Sequence, residues 1–276
     1  MTATQLDELT SVVLAPNPSP MTLEGTNTYL VGAPGAGDVV VVDPGPHDDG
    51  HRGAVEAEAR RRDAQITAVV VTHHHRDHAE AVPWAQAWGA ELLTYAPELL
   101  PVPAPASPLR DDAAVRRAGV TLTAVHTPGH ASDHLCLRVD ETGAVLTGDH
   151  VLGRGTTVVA WPDGDMAAYM ASLRRLERLD ASVLYPGHGP VVRDPAAVVA
   201  DYIAHREARE LQVLAALAAG DTTPAAIVAR VYAAVDPVLH PAAERSVRAH
   251  LAKLVTDGTI VQLVDPSVNE ERFRVR

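Results

Sequence analysis

A chain of 276 residues that is 46% hydrophobic can bury a substantial core, enough for one or two domains. Its one cysteine, Cys136, excludes an internal disulfide framework and fits a reducing compartment. With 23 Lys and Arg against 35 Asp and Glu, a net charge of −12, the chain does not coat polyanions by bulk charge. The first residues lack the basic-then-apolar pattern of a secretory signal, and no uninterrupted apolar run is long enough to cross a bilayer. A cytoplasmic protein with no membrane partner is expected.

Residues 27–31 and 38–43 read as strands set between turn residues, and residues 51–62, rich in Ala and Arg, as a surface helix. Residues 66–71 form an apolar, β-branched run, expected as a buried strand. Directly after it comes Thr72-His73-His74-His75-Arg76-Asp77-His78, followed by a helix over residues 79–88. Residues two apart at a strand end point to the same side, so His73 and His75 can grip one ion. Asp77 and His78, beyond the turn, can grip a second. His74 points the opposite way, and Arg76 reads as facing solvent or as supporting a ligand from behind. The proline cluster in residues 97–108 excludes regular helix and predicts a semi-extended surface loop.

Three further turns carry a polar side chain behind a predicted strand. His130 closes His126-Thr127-Pro128-Gly129-His130 after residues 120–125. Asp149 sits in Thr147-Gly148-Asp149-His150 after residues 144–146. His188 sits in Tyr185-Pro186-Gly187-His188-Gly189 after residues 181–184. Glycine lets the backbone turn sharply and bring such a side chain close to an ion. Cys136 lies in the strand-like His134-Leu135-Cys136-Leu137, and residues 165–179 read as a helix. Five histidines and two aspartates (His73, His75, His78, His130, His188, Asp77 and Asp149) suit two borderline ions, each with an open position for water. Asp43 and His134 are candidates to accept the other N–H of a ligating ring. His150 has no assignable role; His47, His51, His126, His205, His240 and His250 read as ordinary polar or surface residues.

After His188 the character changes. Asp194-Pro195 predicts a helix cap with proline in the first turn. Val199, Tyr202, Ile203, Leu211, Leu214 and Leu217 form a helical stripe that Gly220 ends. Helices over residues 224–232 and 242–256 follow, the second with Val247, Leu251, Leu254 and Val255 on one face. Asp257-Gly258 is a turn, and residues 260–264 and 272–275 can pair as a hairpin. Helix, helix and hairpin suggest a small winged-helix unit over residues 221–276, behind a catalytic unit over residues 1–220.

In this order the metal-type motifs resemble those of the metallo-β-lactamase superfamily, with Val42-Asp43-Pro44-Gly45 similar to its first motif. The resemblance implies an α/β fold, an αββα sandwich. It implies His73, His75 and His130 at a first metal, Asp77, His78 and His188 at a second, and Asp149 bridging them. The lactamases of that superfamily often place a cysteine near the second ion, and Cys136 matches no such position. The bridging aspartate resembles the thioesterase and nuclease branches.

Asn17-Pro18, Gly25-Thr26-Asn27-Thr28-Tyr29-Leu30, residues 147–153, residues 185–190 and His205-Arg206-Glu207 are similar to the β-lactamase-like protein 2 family. That resemblance implies a zinc-dependent endoribonuclease acting on single-stranded RNA. The leading expectation is therefore a dinuclear hydrolase whose metal-bridging hydroxide cleaves a phosphodiester. Two Zn²⁺ ions are expected, with Mn²⁺ or Fe²⁺ as alternatives. Bound Zn²⁺ lowers the pKa of water from about 15.7 to roughly 7, about 12 kcal/mol in favour of hydroxide. Asp77 and Asp149 are the catalytic candidates, orienting this hydroxide and moving its proton.

Charge supports RNA weakly, because the terminal unit carries seven basic and seven acidic residues. Arg245 and Arg248 read as a solvated helix face rather than a cleft wall. The rival enzyme is a glyoxalase II-like thioester hydrolase using the same motifs. An iron-dependent oxygenase is disfavoured by Asp77, His78 and His188, and a nucleic-acid-binding regulator with a structural metal core by the open coordination positions.

Overall fold

The computed structural model describes residues 1–265 and 270–276. The chain opens with strands β1 (Thr4–Gln5), β2 (Thr10–Leu14), β3 (Asn27–Val31) and β4 (Asp38–Val42), then helix α1 (Asp49–Arg61) and strand β5 (Gln65–Val70). Helices α2 (Arg76–Ala79) and α3 (Pro83–Trp88) and strands β6 (Glu91–Thr94) and β7 (Ser107–Pro108) complete the first half. The second half has β8 (Ala114–Arg117), β9 (Val120–His126), β10 (Leu135–Val139) and β11 (Val145–Gly148), then α4 (Met166–Glu177) and β12 (Leu184–Pro186). Helices α5 (Pro195–Ala218), α6 (Pro224–Val231) and α7 (His240–Thr256) and the hairpin β13 (Ile260–Asp265) and β14 (Glu270–Val275) follow.

Seven strands form one sheet in sequential order from β1 to β7, antiparallel up to β4 and parallel from there on. Five form the other, in the order β12-β11-β10-β9-β8, antiparallel except for the β11–β12 pair. The valine runs of β4 and β5 are continuous because both faces of that sheet are covered. Val40, Val42, Ala68 and Val70 point inward and meet Leu122, Leu135, Leu137 and Leu146 of the second sheet. Val39, Val41, Val69 and Val71 point outward under Val55 and Ala59 of α1 and Ala85 of α3. On the far side Tyr169, Leu173 and Leu176 of α4, with Val199 and Tyr202 of α5, cover Val125, Cys136 and Val145. The layers are helix, sheet, sheet, helix.

A separate apolar cluster joins Val213, Ala216 and Leu217 of α5 to Ile227, Val247, Leu251, Leu254, Ile260 and Phe273. Here α6, α7 and the hairpin make the winged-helix unit, and α5 runs from the sandwich into it. The cap at Asp194 follows expectation, and the structure adds a second at Thr223. Asp194 accepts from the Ala197 N–H with Pro195 next to it, and Thr223 accepts from the Ala226 N–H ahead of Pro224.

Several local expectations change. The single helix over residues 79–88 is two, because Pro83 has no N–H to continue the first and starts the second instead. The strand placed at residues 181–184 begins at Leu184. Leu211 is 67% exposed, and Val213 takes its place in the core. His51 and His250 are buried rather than on the surface. Among the described residues no helix is long and apolar enough to cross a membrane.

The buried His51 makes folding sensitive to acid. Burial lowers its pKa to about 4, with Asp48 opposing. The Thr28 hydroxyl donates to the Asp43 carbonyl and therefore accepts from His51 Nε2 at 2.8 Å. A histidine depressed in the folded state binds its proton first in the unfolded chain, so stability falls as pH drops from about 6.5 to 4. The loss from this residue is about 3 kcal/mol. Urea unfolding of wild type and His51→Gln across that range should show the variant losing less; parallel curves would contradict the assignment.

Candidate metal centre

The sheet edges deliver the seven polar residues to one place. The segment 72–78 leaves β5 and enters α2, whose four residues carry Asp77 and His78. His130 follows β9, Asp149 follows β11 and His188 follows β12. Two of these turns need glycine for different reasons. Gly148 has φ +46°, and a Cβ there would lie 2.7 Å from His134 Nε2. At Gly187 a Cβ would lie 2.6 Å from the His78 ring and 2.8 Å from Asp149 Oδ1, so only glycine lets this backbone lie against the cluster.

The side chains form overlapping groups. His73, His75 and His130 bring one nitrogen each within 4.8 Å of the others, as do the ligand atoms of Asp77, His78 and His188, and those of His73, His78 and Asp149. Asp149 lies between the two ends: Oδ1 is 3.3 Å from the Nε2 atoms of both His78 and His188, and Oδ2 is 3.6 Å from His130 Nε2. Asp77 Oδ2 is 3.1 Å from His188 Nε2.

Four rings have their outward nitrogens committed as donors. His130 Nδ1 donates to the Val158 carbonyl (2.8 Å) and His188 Nδ1 to the Gly25 carbonyl (3.1 Å). His78 Nδ1 donates to Asp43 Oδ2 (2.8 Å). His73 Nδ1 lies 3.0 Å from Thr72 Oγ1, whose own proton goes to Asp43 Oδ2, so the hydroxyl accepts from the ring. A neutral imidazole has one N–H, so His73 and His130 turn a lone pair inward, as His78 and His188 do once their second proton leaves. Yet His73 Nε2 and His130 Nε2 each lie 3.0 Å from His75 Nδ1, and His78 Nε2 lies 3.1 Å from His188 Nε2. Lone pairs at that distance repel unless a proton or cation lies between them. Nitrogen ligands around a tetrahedral Zn²⁺, bonded at 2.0–2.1 Å, sit about 3.3 Å apart. The buried Asp149 Oδ1 has no well-formed hydrogen bond, and the Nε2 atoms of His78 and His188 face it at 3.3 Å. This donor set fits a pair of divalent cations.

The two ends differ in charge. Burial pushes His73 well below its ordinary pKa and His75 down to about 3, and it lowers His130 as well, so these rings are neutral donors at pH 7. At the other end burial opposes charge, but the carboxylates outweigh it. Asp149 and Asp77 push His78 well up and His188 up to about 9. In return the histidines overcome burial and hold Asp149 well below the carboxylate range and Asp77 at about 2.

Asp43 and His134 both support the cluster, in different ways. Asp43 holds His78, while His134 Nε2 accepts from the Asp149 backbone N–H (3.1 Å) and Nδ1 donates to Thr127 Oγ1 (2.9 Å). His74 bonds Asp133 (2.8 Å) and stays outside the two triads. Sequence reasoning missed the loop over residues 157–158. The Thr157 hydroxyl donates to the Asp149 carbonyl (2.7 Å), and the buried Arg206 donates to the Thr157 carbonyl. Backbone acceptors such as Val158 leave no signature in residue identity.

A cleft of about 610 Å³ opens over the cluster, with His75, Asp77, His130 and Asp149 at its floor. Its walls are Met21, Val158, Ala160, Val238, Leu239, Pro241 and Ala242, with Arg245 among them. Arg245 is exposed and also lines the cleft, because α7 packs against α4 and α5. A larger cleft of about 860 Å³, around Gln5, Asp38, Arg61 and Arg62, contains none of the grouped ligands.

Metal titration checks this geometry. Two divalent ions per chain are expected, and His188→Ala should retain about one after dialysis, measured by elemental mass spectrometry. Because His78 and His188 carry protons in the ion-free protein, filling their end releases protons and strengthens as pH rises toward 9. Calorimetry in buffers of different ionisation enthalpy reads that release; its absence would contradict the charge assignment.

Comparison with known proteins agrees with the fold. Residues 21–188 match the metallo-beta-lactamase superfamily, and residues 223–267 match the beta-lactamase associated winged helix domain. A beta-lactamase-like protein 2 homolog of Caenorhabditis elegans is 32% identical over 272 residues, covering 93% of this chain and 87% of the relative. An atrochrysone carboxyl ACP thioesterase of Aspergillus chevalieri is 39% identical over 214 residues, 74% of this chain; the chain spans 64% of that relative's length. A metallo-beta-lactamase family protein of Thermus thermophilus superposes with a TM-score of 0.82 at 25% identity, covering 97% of this chain and 98% of its own. The chain belongs to the metallo-beta-lactamase superfamily and carries its associated winged-helix domain.

Proposed function

We propose that this hydrolase cleaves thioesters of largely apolar acyl groups, with Zn²⁺ as the ion at both ends of the centre. The observation that carries the reading is the cleft wall. It is built from aliphatic side chains, and among the described lining residues Arg245 is the one Lys or Arg and no Phe, Tyr or Trp is present. Single-stranded RNA is held by several cations along its phosphates and by aromatic rings under its bases. An acyl chain needs the opposite, an apolar wall beside a polar floor. A relative named as an acyl-carrier thioesterase is similar over 214 residues.

His73, His75 and His130 would hold one cation, Asp77, His78 and His188 the other, and Asp149 would bridge them. Such a pair supplies an acidified water and positive charge where a carbonyl oxygen gains negative charge. The protein's own groups do the rest. Asp77, at the cleft floor and ionised at any physiological pH, accepts a proton there and passes it to the leaving thiolate. Thr157 and His134 fix the Asp149 backbone from both sides, so its carboxylate keeps one orientation. Met21, Val158 and Val238 cover the acyl group.

Phosphodiester cleavage of single-stranded RNA is the second reading. It is favoured by the similarity to the beta-lactamase-like protein 2 homolog over nearly the whole chain, winged-helix unit included. A regulatory role with a structural metal core is disfavoured by the position of Asp77 and Asp149 on an open cleft.

The test is to incubate Zn²⁺-loaded protein with an aromatic acyl thioester, S-lactoylglutathione and a single-stranded RNA oligomer, each with and without chelator. Chelator-sensitive hydrolysis of the aromatic thioester alone is expected. Cleavage of RNA alone would transfer the assignment to the second reading, and turnover of S-lactoylglutathione alone to a glyoxalase II-like enzyme. Asp77→Asn should lower kcat by about 10²–10⁴ with KM nearly unchanged. Full turnover in that variant would contradict its role in proton transfer.

A further inference from the structure

We infer that Arg245 is an anion anchor, so that the substrate carries a fixed negative charge, a carboxylate or a phosphate, beside its apolar acyl body. This rests on the thioester reading and adds the substrate's charge to it.

Three observations carry the inference. First, Arg245 lines the same cleft as His75, Asp77, His130 and Asp149, although it belongs to the winged-helix unit. Second, the residue is exposed, and its side chain has no hydrogen bond or ion pair among the described residues. The neighbouring cations of α7 are occupied: Arg248 by Glu244 and Glu271, and Lys253 by Glu210 and Asp257. Third, its backbone is held. Ser246 and Val247 are buried, and the Arg245 carbonyl accepts from the Trp161 N–H (3.4 Å) in the segment that follows the Val158 loop. The guanidinium therefore stands on a fixed base across from the catalytic floor.

The surroundings make such a cation selective. Val238, Leu239 and Ala242 flank it, and a charge pair beside apolar walls is stronger than one in open water. A guanidinium offers a planar fork that matches a carboxylate or phosphate through two parallel hydrogen bonds. The chain as a whole carries −12, so a positive group in the cleft wall marks a local reversal of sign that favours an anionic group there. The anion can sit on the acyl group or on the thiol arm, and both present the same chemistry to Arg245.

Three thioesters of one aromatic acid separate these sources: a neutral N-acetylcysteamine ester, the same ester with a carboxylate on the acyl ring, and the acid carried on phosphopantetheine. Zn²⁺-loaded wild type, Arg245→Gln and Arg245→Lys are compared at full length, with circular dichroism and metal content matched first. Arg245→Gln should lower kcat/KM about 10- to 100-fold, mainly through KM, for the carboxylated or the phosphorylated substrate. The neutral ester should change less than about twofold, and Arg245→Lys should recover part of the loss. Whichever charged substrate suffers the loss locates the anion. An equal change on all three substrates, or none on either charged one, overturns the anchor while leaving thioester hydrolysis standing. Failure of wild type to hydrolyse any of the three overturns the thioester reading, and the anchor falls with it.

Discussion

The buried Asp43 carboxylate holds the two ends of the site in register. Oδ1 accepts the Thr72 N–H at 2.7 Å, and Oδ2 accepts both the Thr72 hydroxyl and His78 Nδ1 at 2.8 Å. One group at the end of β4 thereby orients the residue before His73 and the ring of His78. The residue sits at φ +53°, a left-handed conformation uncommon outside glycine and costing of order 1–3 kcal/mol. The three hydrogen bonds to a charged acceptor, each about 1.5–3 kcal/mol, outweigh that cost. Thr72 continues the connection, since its carbonyl accepts the Leu135 N–H at 2.7 Å and so ties the histidine loop to the second sheet.

The second half of the centre depends on a similar union across the sandwich. Asn27 donates to the Pro186 and Gly189 carbonyls (both 2.9 Å), and the Tyr29 hydroxyl donates to the Pro186 carbonyl (2.6 Å). These bonds from β3 place the turn carrying His188 against the first sheet, where Gly25 receives its outward N–H. The centre is therefore a property of the interface between sheets. Neither half could hold the converging rings alone, because His73, His75 and His78 come from the first half, His130 and His188 from the second, and the outer nitrogen of His188 is fixed by Gly25 across the sandwich.

The winged-helix unit has a structural share in the cleft. Helix α5 runs from the sandwich core into the terminal core, with Val199 and Tyr202 in the first and Val213 and Leu217 in the second. Along the same helix Arg206 stands buried, donating to Thr157 and lying 5.3 Å from the Tyr169 ring. The loop that covers the centre thus reads the position of the helix that carries the terminal unit. Val238, Leu239 and Arg245 then close the cleft from that side.

Residue identity determined by itself most of what depends on short range. The valine runs, the cap at Asp194 and the Gly-His and Gly-Asp turns each have a local physical cause, and the order of those turns carried the resemblance to the metallo-beta-lactamase superfamily. His73 and His75 were legible because strand geometry puts alternate residues on one side. The three-dimensional fold alone decided what depends on contacts between distant segments. It made Arg245 a cleft wall, buried His51 and His250, exposed Leu211, and used the Val158 and Gly25 carbonyls to orient rings. A backbone carbonyl is the same group in every residue, and a helix face becomes core or cleft only when another element packs beside it. Such information is absent from the chain until it folds.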